Sequence, residues 1–324
     1  MRIVFNLMNV GAGNNGGTHT LIQSANTLHD LGEDVVIIDS GKCQYTWDSV
    51  KVPYKRVNNV NDVSGDVIIA TGTGSVKPTN ESNILKKYHW IRGWELWNTP
   101  EDKLVKLLKQ SPCKKIVNSI CLKRRLNSYD IPSEIIRPGH SFEEFKEPAP
   151  KRDKPVALGG LYNQGTKRLT KRTNWILDSY NILKYKYNLQ LWMFGADGTP
   201  PLHDLIIFVK NPNVETKIRF YNNINIWLSP SELEGLHIAP AESMLCECCV
   251  VGNNSPMGGT EDYLIDHETG LVSENTFESF LANVEILIKH KVLREELAKA
   301  GRKKILELGD RKENMKKMLE LIKG

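Results

Sequence analysis

Two glutamates with a defined spacing are the residues in this chain best suited to chemistry. Glu234 and Glu242 stand eight positions apart. The run 223–228 before them is rich in β-branched and aromatic residues, which predicts a buried strand. Pro240 suits the first turn of a helix, so we expect Glu234 in the loop after the strand and Glu242 in that first turn. Both side chains would then lie at the carboxyl end of a parallel sheet, where open α/β folds bind ligands.

The predicted loop and helix start favour a ligand that carries both phosphate and hydroxyl groups. The first turn of a helix presents free N–H groups and the positive end of the helix dipole, which bind phosphate. An ionised carboxylate only accepts hydrogen bonds, so it suits sugar hydroxyls. Together these groups predict a nucleotide-sugar site. The alternative is a loop and a capped helix that carry acidic residues incidentally.

The Glu-x7-Glu pair, with the run Gly258-Gly259-Thr260-Glu261 after it, resembles the donor-binding half of the retaining glycosyltransferases of family 4. The resemblance implies the GT-B fold, an α/β architecture of two Rossmann-like, doubly wound domains that face each other across a cleft. It also implies metal-independent sugar transfer from a UDP- or GDP-sugar with retention of configuration. Glu242 would hold the ribose hydroxyls and Glu234 would contact the donor sugar. Backbone close to the donor would come from Met257, Gly258, Gly259 and Thr260.

A basic segment at the start of the first predicted helix of the same half resembles the family's phosphate-binding element. The family has Gly-Arg after the preceding strand and Lys-Gly at the helix start. Here Lys171 matches the lysine, Arg172 replaces the glycine and Gly160 takes the place of the arginine. Arg168, Arg172 or Lys167 could supply the second cation, because fixed positive charge stabilises a departing diphosphate. A solvated basic loop is the alternative. The catalytic candidates are therefore Glu234, Lys171 and Arg168.

The amino-terminal glycines admit two interpretations. Gly11, Gly13 and Gly16 fit the pattern G-x-G-x-x-G after a predicted strand, and Asp39 closes the next strand, as in dinucleotide-binding folds. That pattern predicts an NAD-dependent oxidoreductase, but it leaves the glutamate pair without a role. The family resemblance instead implies that Gly16 and Gly17 form a glycine-rich loop near the donor phosphates. A non-catalytic nucleotide-sugar binder is a third class.

The segment 86–98 combines aromatic and charged residues. Aromatic faces with a few polar groups suit sugar rings or another hydrophobic acceptor, whereas core aromatics with a surface Arg–Glu pair are the alternative. In the family this segment presents groups to the cleft. The acceptor-side candidates are therefore His89, Arg92 and Glu95, alongside Trp90, Trp94 and Trp97.

A proline-rich, charged stretch at 146–155 predicts a linker between two domains. Just before it, 135–145 resembles the segment that closes the first domain of the family, and His140 is interpreted as a hinge residue. We expect an acceptor-side domain over 1–147, joined by a C-terminal helix at 310–324, and a donor-binding domain over 148–309.

Length and composition fit an ordinary two-domain globular protein, with 324 residues, 40% hydrophobic residues and 25% charged residues. Neither a bilayer-spanning run nor a signal peptide is evident, so we expect an intracellular, cytoplasmic protein. The net charge of +5 is mild, and no nucleic-acid partner is expected. Basic residues over 101–125 form either a solvated face or a contact with an anionic membrane surface that carries a lipid-linked acceptor. The expected partners are a nucleotide-sugar donor and a glycan or lipid-linked acceptor.

Cysteine usage argues against a metal site. Three of the six cysteines lie in the run Cys246-Glu247-Cys248-Cys249, but no second ligand pair follows at a zinc-like spacing. We expect these thiols to pack as small apolar residues around a helix end and the next strand. The sequence also lacks an Asp-x-Asp pair, so neither a metal nor another cofactor is expected.

Overall fold

The computed structural model describes residues 1–96, 99–145, 148–151, 155–164, 170–196, 198, 200 and 206–324. The chain forms two compact units. The first comprises Met1–Gly139 and Asp310–Gly324, and the second comprises His140–Gly309. The boundary thus falls between Gly139 and His140, eight residues before the position expected from the proline-rich stretch.

The first unit is an α/β domain with a parallel sheet of seven strands in the order β3-β2-β1-β4-β5-β6-β7. Its strands are β1 (Arg2–Asn6), β2 (Asp34–Asp39), β3 (Tyr54–Arg56), β4 (Val67–Ala70), β5 (Lys86–Ile91), β6 (Lys114–Val117) and β7 (Ser133–Ile135). Its helices, apart from one at the C-terminus, are α1 (Gly16–Asp30), α2 (Thr73–Glu81), α3 (Glu101–Gln110) and α4 (Ile120–Asn127), with a 3-10 turn at Val60–Asp62.

Strand β1 is central because both of its faces are apolar and buried. Ile3 and Phe5 pack in a core cluster with residues of α1, whereas Val4 packs in a second cluster on the other face of the sheet. Side chains alternate between the faces of a strand, so a strand covered on both sides must be apolar almost throughout. This pattern explains why the run 2–6 forms an interior strand.

The second unit has a parallel sheet of six strands in the order β10-β9-β8-β11-β12-β13. Its strands are β8 (Val156–Leu161), β9 (Leu189–Gly195), β10 (Ile206–Lys210), β11 (Ile226–Leu228), β12 (Cys249–Asn253) and β13 (Leu271–Ser273). Its helices are α5 (Thr173–Leu183), α6 (Val214–Asn223), α7 (Ile238–Leu245), α8 (Phe277–Lys289) and α9 (Lys291–Glu307). The strand order reverses between β8 and β11, which makes the carboxyl ends of these two strands the topological switch point.

The chain returns to the first unit through the C-terminal helix α10 (Arg311–Lys323). Asp310 and Glu313 form a reciprocal capping box at its start. Its buried side chains Met315, Met318 and Ile322 join the core cluster that also contains residues of α1. Helix α10 therefore belongs to the first unit.

Several elements fall close to their predicted positions. The apolar periodicity of the sequence predicts helices over 101–110 and 277–289, and the structure has helices with those bounds. The sequence predicts a first strand over 2–10 and a following helix from about Thr18. The strand ends at Asn6, and α1 begins at Gly16, two residues before Thr18, because Asn15 caps its first turn.

The aromatic segment 86–98 does not form an exposed platform at its two described tryptophans. Trp90 lies in β5 and Trp94 follows that strand, with 0% and 2% of their surfaces exposed. Trp94 stacks on Tyr129 and donates a hydrogen bond from Nε1 to Glu101 at 2.7 Å. The core-aromatic interpretation is therefore correct for these two residues, whereas Trp97 lies outside the described residues.

The cysteine prediction is confirmed where it concerns packing. Cys246, Cys248 and Cys249 are free and buried, and apolar clusters of the second unit contain all three. Within the described residues, no group of histidine, cysteine and carboxylate side chains could hold a metal ion. In that same part of the chain, no helix has the length and hydrophobicity that crossing a membrane would require.

Substituting Gly139 tests the attachment of α10 to the first unit. Gly139 has a φ of +68°, and a Cβ there would lie 2.7 Å from both N and Cα of Arg311. Backbone strain and this backbone clash should make Gly139→Ala about 1–3 kcal/mol less stable in urea unfolding. Gly41→Ala is the matched control, because its Cβ would meet Asp39 Oδ2 at an ordinary 3.7 Å. Equal stability of the two variants would contradict the prediction.

Candidate functional site

The switch point of the second sheet brings together the loop after β11 and the start of α5. The loop runs from Ser229 to His237 and leads into α7. Asn253, the last residue of β12, donates hydrogen bonds from Nδ2 to the carbonyls of Pro230 at 2.6 Å and Ser231 at 3.1 Å. A buried side chain at a strand end therefore fixes the first part of the loop.

Glu234 is held in this loop by a neighbouring segment of backbone. Its amide donates to the carbonyl of Met257 at 2.7 Å, and the amide of His237 donates to the carbonyl of Gly259 at 2.9 Å. Gly259 has a φ of +72°, and a Cβ there would lie 2.7 Å from Cβ of Glu234. The close approach of the two segments therefore requires glycine at this position.

Lys171 forms an ion pair with Glu234, and its Nζ lies 2.5 Å from Oε2. The side chains are 25% and 12% exposed, so the pair is largely withdrawn from water. The backbone is joined at the same place, because the amide of Glu232 donates to the carbonyl of Thr170 at 2.8 Å. The predicted phosphate-binding lysine and the predicted sugar-binding glutamate thus lie side by side.

Arg172 occupies the N-cap of α5 in the left-handed conformation, with a φ of 49°. This is the position at which the family pattern has glycine, and positive φ explains that preference. The Arg172 side chain is 13% exposed, pairs with Glu232 at 3.2 Å and lies 4.4 Å above the Trp175 ring. It also donates to Asn275 Oδ1. These contacts occupy the Arg172 guanidinium and hold its left-handed backbone in place. A diphosphate would have to share the guanidinium with them.

The electrostatic setting of Glu234 favours the carboxylate form. Burial by itself raises the pKa of this carboxyl, but its interactions with His237 and Lys171 outweigh burial and bring the pKa below the ordinary value. Burial lowers the pKa of His237 to about 4, so this imidazole is neutral at pH 7. Lys171 therefore supplies the permanent positive charge beside Glu234.

His237 is a residue of the site that the sequence analysis missed, although it lies between the two glutamates. Its Nδ1 is 3.0 Å from Ser229 Oγ, and its Nε2 is 3.3 Å from Glu234 Oε1. Tyr263 donates from its hydroxyl to the His237 carbonyl at 2.5 Å. His237 is the only histidine between Glu234 and Glu242 in the sequence, and this position could have marked it as a candidate.

Glu242 does not occupy the first turn of its helix. Helix α7 begins at Ile238, so Glu242 is its fifth residue, and only 6% of its surface is exposed. Lys217 Nζ lies 2.7 Å from Oε1, and the Tyr221 hydroxyl donates to Oε2 at 2.8 Å. Burial raises the pKa of Glu242, but Lys217 and His140 more than offset this effect, so the pKa is lowered. The carboxylate is thus engaged by α6, which the spacing of the motif could not reveal.

Most of the remaining residues predicted to bind the donor already use a backbone group in a contact within the protein. The Gly258 amide already donates to the Ser255 carbonyl at 2.9 Å, and the Thr260 carbonyl accepts from the amides of Tyr263 and Leu264. The carbonyls of Met257 and Gly259, rather than their amides, make the contacts to the Glu234 loop. Arg168, like Lys167, lies outside the described residues.

In the first unit, Gly16 and Gly17 are the first two residues of α1, at the carboxyl end of β1. Arg92 donates hydrogen bonds to the carbonyl of Gly17 and, at 2.8 Å, to the carbonyl of Thr71. Burial lowers the pKa of Arg92 to about 10, and the nearby Glu95 opposes this change. The guanidinium remains charged at pH 7, so it fixes the glycine turn while adding positive charge there.

The three acceptor-side candidates do not share one environment. Glu95 Oε2 accepts from the amide of Thr73 at 2.8 Å, so this carboxylate lies at the start of α2. His89, in contrast, is inside β5, where it is 3% exposed. Burial, followed by the charges of Lys115 and Arg92, lowers the pKa of His89 to about 3. A neutral histidine inside the sheet is a core residue, which corrects the expectation that His89 is presented to an acceptor.

Part of the second unit is similar to known glycosyltransferases. Residues 169–304 match the model of the family described as glycosyl transferases group 1. The chain is 29% identical over 141 residues to the capsular polysaccharide biosynthesis glycosyltransferase CapM of Staphylococcus aureus. That match covers 40% of this chain and 37% of the relative, so it spans little more than a third of CapM.

Solved structures resemble the whole chain. Sucrose-phosphate synthase from Thermosynechococcus elongatus has a TM-score of 0.80 at 15% identity, and the match covers 100% of this chain and 98% of that one. Anabaena HepE in complex with UDP and glucose has a TM-score of 0.78 at 12% identity, with 100% and 99% covered. These similarities, with the two parallel-sheet units, confirm the predicted GT-B type of α/β fold.

The buried neutral histidines predict a loss of stability in mild acid. In the unfolded chain His89 titrates near its ordinary pKa of about 6.5, whereas in the folded chain the pKa is about 3. The unfolded state then binds more protons as the pH falls below about 6.5, so the free energy of unfolding decreases. Between pH 7 and pH 5, His89→Gln should remove about 2 kcal/mol of this decrease in urea unfolding.

The exposed His267, whose side chain is 70% accessible, provides the matched control. His267→Gln should retain the acid sensitivity of the parent protein. If His89→Gln showed the same loss of stability between pH 7 and pH 5 as His267→Gln, the assignment of a neutral buried His89 would be wrong.

Proposed function

We propose that the chain transfers a sugar from a nucleotide-sugar to an acceptor hydroxyl. The match of residues 169–304 to the model of the group 1 glycosyl transferases supports this proposal. The donor is a UDP- or GDP-sugar. The acceptor is a glycan or a lipid-linked sugar. The reaction proceeds with retention of anomeric configuration and without a metal ion, as the resemblance to family 4 implies.

The observation that carries this proposal is the ion pair between Lys171 and Glu234 at the switch point of the second sheet. A diphosphate carries negative charge that an ammonium can bind, and a sugar carries hydroxyls that a carboxylate can accept. Only a ligand with both groups uses the two side chains together. Anabaena HepE, which has this fold, is described in complex with UDP and glucose.

In the proposed reaction, the bond between the anomeric carbon and the diphosphate oxygen breaks, and a bond from that carbon to the acceptor oxygen forms. The acceptor hydroxyl loses its proton to the departing diphosphate. Lys171 stabilises the charge that develops on the leaving group, because a preorganised cation lowers the energy of a transition state with more negative charge. Glu234 holds the sugar so that its anomeric carbon faces the acceptor.

Glu242 takes part as the ligand of the ribose hydroxyls. Lys217 and Tyr221 already contact its two oxygens, but a carboxylate offers about four lone-pair directions. A ribose hydroxyl can therefore donate to Glu242 while both contacts persist. The hydrogen bonds from α6 keep the Glu242 carboxylate ionised and in one orientation. A carboxylate that is already oriented favours binding of the ribose hydroxyls.

The first unit supplies the acceptor side of the reaction. Arg92 and Glu95 lie at the carboxyl end of its sheet, close to the starts of α1 and α2. The surface of α3 is basic, with exposed Lys103, Lys106 and Lys109. A lipid-linked acceptor would place this helix against an anionic membrane surface, where each lysine adds favourable attraction.

A thermal-shift panel tests the donor class. UDP, GDP, ADP, CMP, their common sugar conjugates and NAD(H) are added separately, with EDTA present. A ligand at a hundred times its dissociation constant should stabilise the protein by about 2.7 kcal/mol. One nucleotide series, together with its sugar conjugates, should raise the melting temperature. Stabilisation by NAD(H) alone would overturn the proposal and favour the Gly11, Gly13, Gly16 and Asp39 pattern instead.

Removing Lys171 should weaken nucleotide binding and also disturb its partner. In Lys171→Met, Glu234 becomes a buried carboxylate without its cation, so its pKa should rise and the fold should lose stability. Loss of a charge-assisted contact predicts a dissociation constant at least about tenfold higher for the nucleotide that the panel identifies. Isothermal titration measures this constant directly.

Lys299→Met is the matched control, because Lys299 is an exposed lysine of α9 in the same unit. The double variant Lys171→Met, Glu234→Gln should regain stability relative to Lys171→Met without regaining nucleotide affinity. Unchanged affinity in Lys171→Met would show that the ion pair is only a structural contact.

A further inference from the structure

Two polar atoms of the loop after β11 are buried and have no hydrogen-bond partner among the described residues. They are Oε1 of Glu234 and Nε2 of His237, and they lie 3.3 Å apart. Buried polar atoms in folded proteins are nearly always hydrogen-bonded, so two adjacent exceptions require an explanation. One explanation is that a ligand group completes both.

Each of the two side chains is held by a contact at its other polar atom. Glu234 is held at its second oxygen by Lys171, 2.5 Å away, and its amide is held by Met257. His237 is 5% exposed, and its ring is held at Nδ1 by Ser229 Oγ at 3.0 Å. The His237 backbone is fixed at both its amide and its carbonyl. The two unpartnered atoms are therefore positioned by contacts on their far sides.

Direct pairing through a protonated imidazole is also disfavoured. Burial lowers the pKa of His237 to about 4. Glu234 opposes this effect and the nearby Lys171 ammonium adds to it, so the imidazole is neutral at pH 7. A neutral imidazole has one N–H and one acceptor nitrogen. Glu234 Oε1 can only accept, so the pair is suited to a group that both donates and accepts.

A hydroxyl satisfies all of these requirements. Ser229 can donate from Oγ to Nδ1 of His237, which places the ring proton on Nε2. This N–H donates to the hydroxyl oxygen, and the hydroxyl proton is donated to Glu234 Oε1. A hydroxyl oxygen about 2.8 Å from both atoms fits normal hydrogen-bond lengths. In this series of hydrogen bonds, from Ser229 through His237 and the ligand hydroxyl to Glu234, every donor has one acceptor.

We propose that His237 is a specificity-determining residue that binds one hydroxyl of the donor sugar together with Glu234. The inference rests on the proposed function and adds a residue to it. Lys171 then serves the diphosphate, and the Glu234–His237 pair serves the sugar. A site built to bind a hydroxyl through buried polar groups rejects ligands that lack it, because those groups are left unpaired.

The experiment compares nucleotide-sugars with the bare nucleotide in two proteins, the parent and His237→Phe. UDP, UDP-glucose, UDP-galactose, UDP-N-acetylglucosamine, GDP and GDP-mannose are titrated calorimetrically. Phenylalanine provides an aromatic ring of similar size without the two nitrogens. The affinity for the best nucleotide-sugar should fall about tenfold or more in His237→Phe, whereas the affinity for its bare nucleotide should stay within about twofold.

Two further variants sharpen the comparison. Ser229→Ala removes the hydroxyl that orients the ring, and should produce a smaller loss that is again confined to nucleotide-sugars. His267→Phe changes an exposed histidine of the same unit and should behave as the parent protein does. A monodeoxy analogue of the best donor that lacks the bound hydroxyl should bind the parent and His237→Phe with nearly equal affinity.

The outcomes separate this inference from the function beneath it. If His237→Phe weakened the bare nucleotide as much as the nucleotide-sugar, or weakened neither, the inference would be overturned while the donor class stood. The same holds if no sugar conjugate binds the parent protein more tightly than its bare nucleotide. If the parent protein bound none of these compounds, the proposed function itself would be overturned.

Discussion

The ion pair between Lys171 and Glu234 is the interaction on which the site depends. Its two residues come from distant parts of the chain, the start of α5 and the loop after β11, and the pair joins them at the switch point of the second sheet. A buried carboxylate without a cation would be costly and would tend to protonate. With Lys171 beside it, Glu234 stays ionised, and the charges are arranged before a ligand arrives, which is the condition for effective electrostatic stabilisation.

The surrounding structure keeps this pair in place. Asn253 fixes the loop from β12, Gly259 allows a second backbone segment to approach Glu234, and Arg172 holds a left-handed turn beside Lys171. Each contact comes from a different element at one edge of the sheet. The parallel topology brings these elements to the same edge of the sheet. The strand order therefore determines where the site lies.

The sequence predicted the parts of this arrangement that follow from local pattern. Apolar periodicity predicted α3 and α8 at their observed bounds. The family resemblance selected Glu234 and Lys171 as candidates, and the structure places these two side chains next to each other. Contacts between distant residues were out of reach. Lys217 and Tyr221 engage Glu242 from α6, and nothing in the spacing Glu-x7-Glu indicates that contact. His89 and Trp90 have polar or aromatic character typical of ligand sites, but tertiary packing buries both in β5. His237 was missed because a histidine's role depends on the atoms around its ring.

The most direct measurement is a crystal structure of the protein with UDP-glucose. We expect density for the diphosphate beside Lys171 Nζ, with one glucose hydroxyl within hydrogen-bond distance of both Glu234 and His237. A diphosphate bound instead at the Gly11–Gly16 turn, with the ribose hydroxyls on Asp39, would contradict the account and assign the chain to dinucleotide chemistry.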